Sequence, residues 1–212
     1  MKEYQKTFIE LAIESKALQF GSFTLKSGRL SPYFFNAANL LNSGKLDLLG
    51  ECYFKALSEE NIEIHSIFGP AYKGIFLGSI LSLLLSKNNK AIPLSFNRKE
   101  IKDHGEGGNI IGENPKGKTL IIDDVLSAGT AAKESIDLIK DVGAEPVMLL
   151  IGLDRKEKGS GDISASKELE LNYGIRIKSI IDLNLLIQFS KSDPNFEKYI
   201  NDLEDYRSKW GA

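Results

Sequence analysis

The stretch Thr119-Leu-Ile-Ile-Asp-Asp-Val-Leu-Ser-Ala-Gly-Thr-Ala-Ala-Lys-Glu-Ser135 decides how this 212-residue chain folds. Apolar and β-branched residues run into two adjacent acids, a Ser-Ala-Gly-Thr turn follows, and Ala131, Ala132, Ser135, Ile136 and Ile139 then recur at helical spacing. Strand, loop and helix therefore meet here. Small residues at Ser127 to Thr130 let the backbone approach a ligand, and the first N–H groups of the helix have no partner inside it. Such a junction cradles an anion, most naturally a phosphate. Asp123 and Asp124 would repel a phosphate unless a cation such as Mg²⁺, or a sugar diol, lay between them, and a phosphorylated sugar meets both demands. The same residues also allow a buried strand whose Asx-type turn caps the helix. They fit neither a Walker loop nor a Gly-x-Gly-x-x-Gly dinucleotide turn.

Toward the C-terminus, Pro146 to Leu153 reads as a strand ending at Asp154-Arg155. Ligands gather at such strand ends in open α/β sheets, and the planar fork of Arg155 suits a carboxylate. A connecting region with a short helix over 160–172, a strand over 175–181 and helices over 183–189 and 195–210 follow. Trp210 anchors the last helix without an assigned role.

Toward the N-terminus, residues 98–118 hold four glycines within 105–112 and a proline at 115, which argues against regular structure. Arg98, Lys99, Lys102 and His104 place potential cations at its start. Loops of this length are commonly functional, and this one reads as a lid bringing positive charge to a polyphosphate, or else as a solvated charge run. Strands over 62–68 and 91–97 flank Gly69-Pro-Ala-Tyr-Lys-Gly-Ile75 and a helix to about residue 85; this turn too offers outward N–H groups. A helix over 44–58 buries Cys52, and His65 is structural. The alternating, aromatic segment 18–36 predicts a hairpin that carries Lys26 and the Phe34-Phe35 pair, which could hold a flat anionic ring by stacking and charge. Residues 2–17 form an amphipathic helix.

Strands near 64–68, 91–97, 118–123 and 146–153 alternate with helices. The expected fold is therefore α/β, a mainly parallel central sheet with right-handed crossovers and flanking helices. The hairpin, from about 18–40, and the C-terminal segment would form a small hood over the carboxyl ends of the strands, with the lid at about 98–117. All of it reads as one domain spanning 1–212.

Ile-Ile-Asp-Asp-Val-Leu-Ser-Ala-Gly-Thr resembles the motif that binds 5-phosphoribosyl 1-diphosphate (PRPP) in type I phosphoribosyltransferases. Lys-Asp-His-Gly-Glu-Gly-Gly, Phe34-Phe35 and Arg155 resemble the orotate-using branch of that family. The match extends from Phe20 to Arg155, with Ser127 standing where a threonine is common. The resemblance implies a pentosyl transfer from PRPP to orotate in pyrimidine synthesis. Residues Val125 to Ala131, including Ala128 and Gly129, would cradle the ribose phosphate, and Asp123 and Asp124 would meet the ribose hydroxyls. Tyr72, Lys73, Arg98, Lys99, Lys102 and His104 would face the diphosphate with Mg²⁺, which is carried mainly by PRPP. Lys26, Phe34, Phe35, Ser127 and Arg155 would surround the base, Lys26 also nearing the reactive end of PRPP. It also implies a homodimer whose lids, through Lys102 and His104, cover the partner's site. A transferase for another base and a PRPP-sensing regulator are the rival readings; a regulator should carry a nucleic-acid-binding module.

Composition fits these expectations. Hydrophobic content of 42% and charged content of 26% are ordinary for a globular protein, and a net charge of −2 with pI near 5.8 gives no global attraction to nucleic acid or membrane. The longest apolar run, Ile75 to Leu85, is too short for a bilayer. A single cysteine cannot close an intramolecular disulfide, so a cytoplasmic location is expected.

Overall fold

A computed structural model describes residues 1–25, 27–99, 109–127, 129–158 and 161–212. Lys26, Lys102, His104 and Ala128 lie outside the described residues. In chain order the elements are α1 (Glu3–Glu14), β1 (Leu18–Thr24), β2 (Leu30–Phe35), a 3-10 helix (Ala37–Ser43), α2 (Leu46–Ser58), β3 (Ser66–Phe68), α3 (Lys73–Lys87) and β4 (Leu94–Asn97). Then come β5 (Ile110–Ile111), β6 (Lys118–Leu126), α4 (Thr130–Asp141), β7 (Glu145–Asp154), α5 (Ala165–Tyr173), β8 (Arg176–Asp182), α6 (Leu183–Ser192), a 3-10 turn (Glu197–Tyr199) and α7 (Ile200–Trp210).

The main sheet has the order β5-β4-β3-β6-β7-β8, parallel throughout except for β5. Its inner strands are buried along almost their whole length because helices cover both faces. Side chains alternate between two cores. Leu120, Ile122, Met148 and Leu150 point to one core, shared with α1, α2, α3 and α6, and Ile121, Leu149 and Ile151 point to the other, under α4 and α5. Chain direction across the sheet reverses between β3 and β6. Crossover α3 carries the chain outward from β3 to β4, and β6 then returns to the opposite side of β3. Ligands of open α/β sheets bind at such a switch point.

The structure corrects the sequence reading at three places. Strand β3 begins at Ser66 rather than near residue 62, and β4 begins at Leu94, after Pro93, whose missing N–H removes a ladder donor. Residues 98–118 are not wholly irregular, since β5 pairs antiparallel with β4 as Phe96↔Ile111 and Asn97↔Ile110. The β-branched Ile110-Ile111 doublet supplies the propensity that the glycines around it obscured. His65 is structural as read: its Nδ1 accepts from the Lys118 N–H at 3.1 Å. Cys52 is buried, and burial pushes its thiol up to about 12.

Hairpin β1-β2 packs on the C-terminal helices through aromatic rings. Phe20 stacks on Tyr199 at 5.3 Å and touches Phe196 at 5.2 Å, Tyr33 meets Tyr206 edge-on at 6.1 Å, and Arg29 lies 4.5 Å over the Trp210 ring. Among the described residues no helix is long and apolar enough to cross a membrane.

Candidate active site

Two acids lie in the C-terminal half of β6, and their placement follows from strand geometry. Successive strand residues face opposite sides of a sheet, so Asp123 follows Ile121 toward α4 whereas Asp124 follows Ile122 toward α3. Asp124 is 6% exposed, and its Oδ2 lies 3.4 Å from Nζ of Lys73, the first residue of α3. Asp123 lines a cavity of about 150 Å³ with Val125, Leu126, Ser127, Gly129, Thr130 and Ala131. The peptide joining the acids is held at both ends. Tyr53, fully buried, donates its hydroxyl to the Asp123 carbonyl at 3.1 Å, and the Asp124 N–H donates to Oδ1 of Asp123 at 2.9 Å. Burial, and then the neighbouring Asp124 charge, push the Asp123 carboxyl up to about 7.

Gly129 begins α4 at φ 78°, a left-handed conformation that favours glycine, and no side chain caps the helix. The Asx-capping alternative is therefore not what the junction forms. Uncapped N–H groups at Thr130 and the residues after it border the cavity, which suits an anion.

Across the switch point, residues Gly69 to Lys73 fold tightly against β6. A Cβ on Gly74 would lie 2.6 Å from the Gly69 carbonyl carbon and 2.7 Å from the Ile122 oxygen, so only glycine fits. The Ala71-Tyr72 peptide is cis. Tyr72 is 72% exposed, and Lys73 is half-buried. Arg98 and Lys99 follow the end of β4. Arg98 is half-buried and its N–H donates to the Asn109 oxygen at 2.8 Å, while Lys99 is exposed.

The expected base pocket is rearranged. Phe34 is exposed and stacks on Phe23 at 5.6 Å, but Phe35 turns into the core beside Phe8, because neighbouring strand residues cannot both face one pocket. Arg155 is buried, and two of its three guanidinium nitrogens are taken. Its Nε meets Glu157 at 2.5 Å, and its Nη2 meets Ser31 Oγ at 3.0 Å and the Tyr206 hydroxyl at 3.3 Å. The guanidinium also lies 4.3 Å over the Tyr33 ring. Nε and Nη2 of the fork are thus engaged within the protein, and Nη1 has no hydrogen-bond partner among the described residues. A larger cavity of about 540 Å³ lies between the hairpin and α7, and Phe34, Phe35 and Arg155 do not line it.

Tyr53, Asn97 and the Glu157-Tyr206 pair carry site geometry that the sequence reading missed. Apart from the contact of Glu157 with Arg155, their partners are remote in the chain, and no local pattern signals them.

A parallel sheet with one antiparallel edge, an acid pair at the switch point and an uncapped helix behind it define a type I phosphoribosyltransferase. The phosphoribosyl transferase domain family model matches residues 37–180. Over 214 residues the chain is 50% identical to orotate phosphoribosyltransferase of Marinobacter nauticus, with both chains covered in full. It is 49% identical to that of Hahella chejuensis, covering 100% of this chain and 99% of the relative. The crystal structure of orotate phosphoribosyltransferase from Francisella tularensis superposes with a TM-score of 0.84 at 36% identity, covering 97% of this chain and 99% of that one. The chain belongs to the orotate phosphoribosyltransferase family, and it is a pentosyltransferase.

Proposed function

We propose that the β6–α4 junction runs the family reaction, PRPP plus orotate giving orotidine 5′-monophosphate and diphosphate, by electrostatics and position alone. The split of Asp123 and Asp124 to the two faces of the switch point carries this reading. Displacement at the anomeric carbon builds positive charge on the ribose and negative charge on the departing diphosphate, so no protein nucleophile is needed. Ser127 to Thr130 and the first α4 N–H groups hold the ribose phosphate. Asp123 accepts from the ribose hydroxyls, while Asp124 pairs with Lys73 beside the diphosphate. Arg98 and Lys99 add charge there, joined by Lys102 and His104 of the lid. Phe34 offers a ring to the base, and Arg155 offers Nη1.

Mg²⁺ fits this donor set. Asp123 lines the cavity and Asp124 lies on the opposite face beside Lys73, and Mg²⁺ commonly binds through one or two carboxylates plus substrate phosphates. When bound it neutralises diphosphate charge; the protein's share is to orient PRPP around it.

A homodimer with lids acting in trans belongs to the same proposal. Leu41, Leu48 and Leu83 are exposed on the 3-10 helix, α2 and α3, and α2 packs on both other elements, which suits an apolar self-association face. The buried free Cys52 suits a reducing cytoplasm.

The test is turnover of orotate with PRPP followed by absorbance, with adenine and guanine as controls and EDTA added in a second arm. Orotate alone should react, and EDTA should stop it. Turnover of a purine, or a rate indifferent to EDTA, would contradict the base or the metal assignment respectively.

The raised Asp123 carboxyl gives a pH prediction. An acid that must be ionised to accept ribose hydroxyls is about half protonated near pH 7. Below that point kcat/KM for PRPP should fall about tenfold per pH unit, and above it the profile should level off. Asp123→Asn should remove this limb along with most activity. Stability runs the other way: the unfolded chain releases this proton near the ordinary aspartate value of 3.8, so the native state holds more protons between about pH 4 and about pH 7. The contribution of Asp123 is therefore largest in acid and is lost as pH rises through that window. A flat kcat/KM profile between pH 6 and 8 would show that the Asp123 carboxyl does not titrate there in the free enzyme.

A further inference from the structure

Asn97 ends β4, the strand that leads into the lid, and its Oδ1 accepts a hydrogen bond from the Ala71 N–H at 2.7 Å. The donor is a backbone N–H, so the side-chain atom facing it must be the oxygen and the amide orientation is fixed. Ala71 sits at the middle of the Gly69 to Lys73 loop. The ends of that loop are fastened by its own backbone and by close packing. The Gly69 N–H donates to the Ser95 oxygen at 2.9 Å, the Gly74 N–H donates to the Pro70 oxygen at 3.0 Å, and neither glycine has room for a Cβ. Among the described residues, only Asn97 fastens the middle. Asn97 also pairs with Ile110 of β5, and the next residue, Arg98, donates to Asn109, so the side chain projects from a two-stranded ribbon at the root of the lid.

We propose that Asn97 is a positioning residue for diphosphate. It fixes Ala71, and with it the backbone just before Tyr72 and Lys73, in the geometry that receives the leaving group, and it ties that loop to the lid's root. The proposal rests on reading residues 69–73 as the diphosphate loop. Ribose phosphate is held elsewhere, at Ser127 to Thr130, which makes the two halves of PRPP separable probes.

The experiment is calorimetry with magnesium diphosphate and, separately, ribose 5-phosphate on wild type, Asn97→Ala and Lys73→Ala. Loss of one neutral hydrogen bond should weaken diphosphate binding by Asn97→Ala roughly 5-fold while leaving ribose 5-phosphate within about 2-fold of wild type. In turnover, KM for PRPP should rise more than KM for orotate. A general loosening of the sheet edge would weaken both probes alike and would overturn the proposal, as would unchanged diphosphate binding. Lys73→Ala separates the two levels of the argument. If it weakens diphosphate binding and Asn97→Ala does not, the positioning role fails alone. If Lys73→Ala has no effect, the diphosphate-loop reading fails and takes the proposal with it.

Discussion

Arg155→Ala should cost the fold about 3–5 kcal/mol, the usual effect of removing one partner from a buried ion pair. At 6% exposure Arg155 joins the end of β7 to Ser31 on β2 and Tyr206 on α7, so it pins the hairpin and the last helix to the sheet. Its removal strands Glu157, which also receives the Tyr206 hydroxyl at 2.6 Å and lies 3.4 Å from Arg29. For a chain of this size the loss should appear as a drop of about 6–20 °C in Tm. Any rise in KM for orotate will be mixed with that loosening. Combining Arg155→Met with Glu157→Leu separates the two, because replacing both partners of a buried pair by apolar groups is often neutral for stability. Tm should then recover while KM for orotate stays high, if Nη1 of Arg155 meets the base carboxylate. Recovery of both would make Arg155 purely structural, and a Tm unchanged in Arg155→Ala would show that the hood is held by its aromatic contacts instead.

The enclosure of Arg155 shows where sequence stops being informative. Asp154-Arg-Lys-Glu-Lys158 reads as a charged strand end open to ligand, because apart from Glu157 the groups that enclose the arginine lie 124 and 51 residues away. Long-range enclosure leaves no local trace. The Phe34-Phe35 pair is different, since the two-residue period of a strand already forbids both rings from sharing a pocket, and the same rule separates Asp123 from Asp124. Strand β6 and the α4 junction were legible because one uninterrupted stretch encodes strand, acids, turn and helix. The parallel direction of β3, β4, β6 and β7 followed from the alternation of strands and helices. Strand β5 was not legible, because two isoleucines between glycines carry too little periodicity to outweigh their surroundings.

Mixing two inactive variants should restore about a quarter of wild-type activity if the lid acts across a dimer. A glycine-rich segment of some twenty residues can span to a neighbour's site as readily as to its own. Take Lys102→Ala in one chain and Asp124→Asn in the other, each expected to lose on the order of 100-fold in rate, as when one charge-stabilising group is removed. In a mixed dimer one site pairs an intact Asp124 with an intact Lys102 from across the interface, while the other collects both defects. Random exchange of equal amounts makes half the dimers mixed, each with one working site of two, which gives the quarter. A lid closing on its own site leaves every site with one defect, and mixing then recovers nothing. Asp124→Asn is nearly isosteric and keeps a group beside Lys73, so melting temperatures of both variants should stay close to wild type, and exchange can be verified by mass spectrometry. Verified exchange without rescue would rule out the shared site.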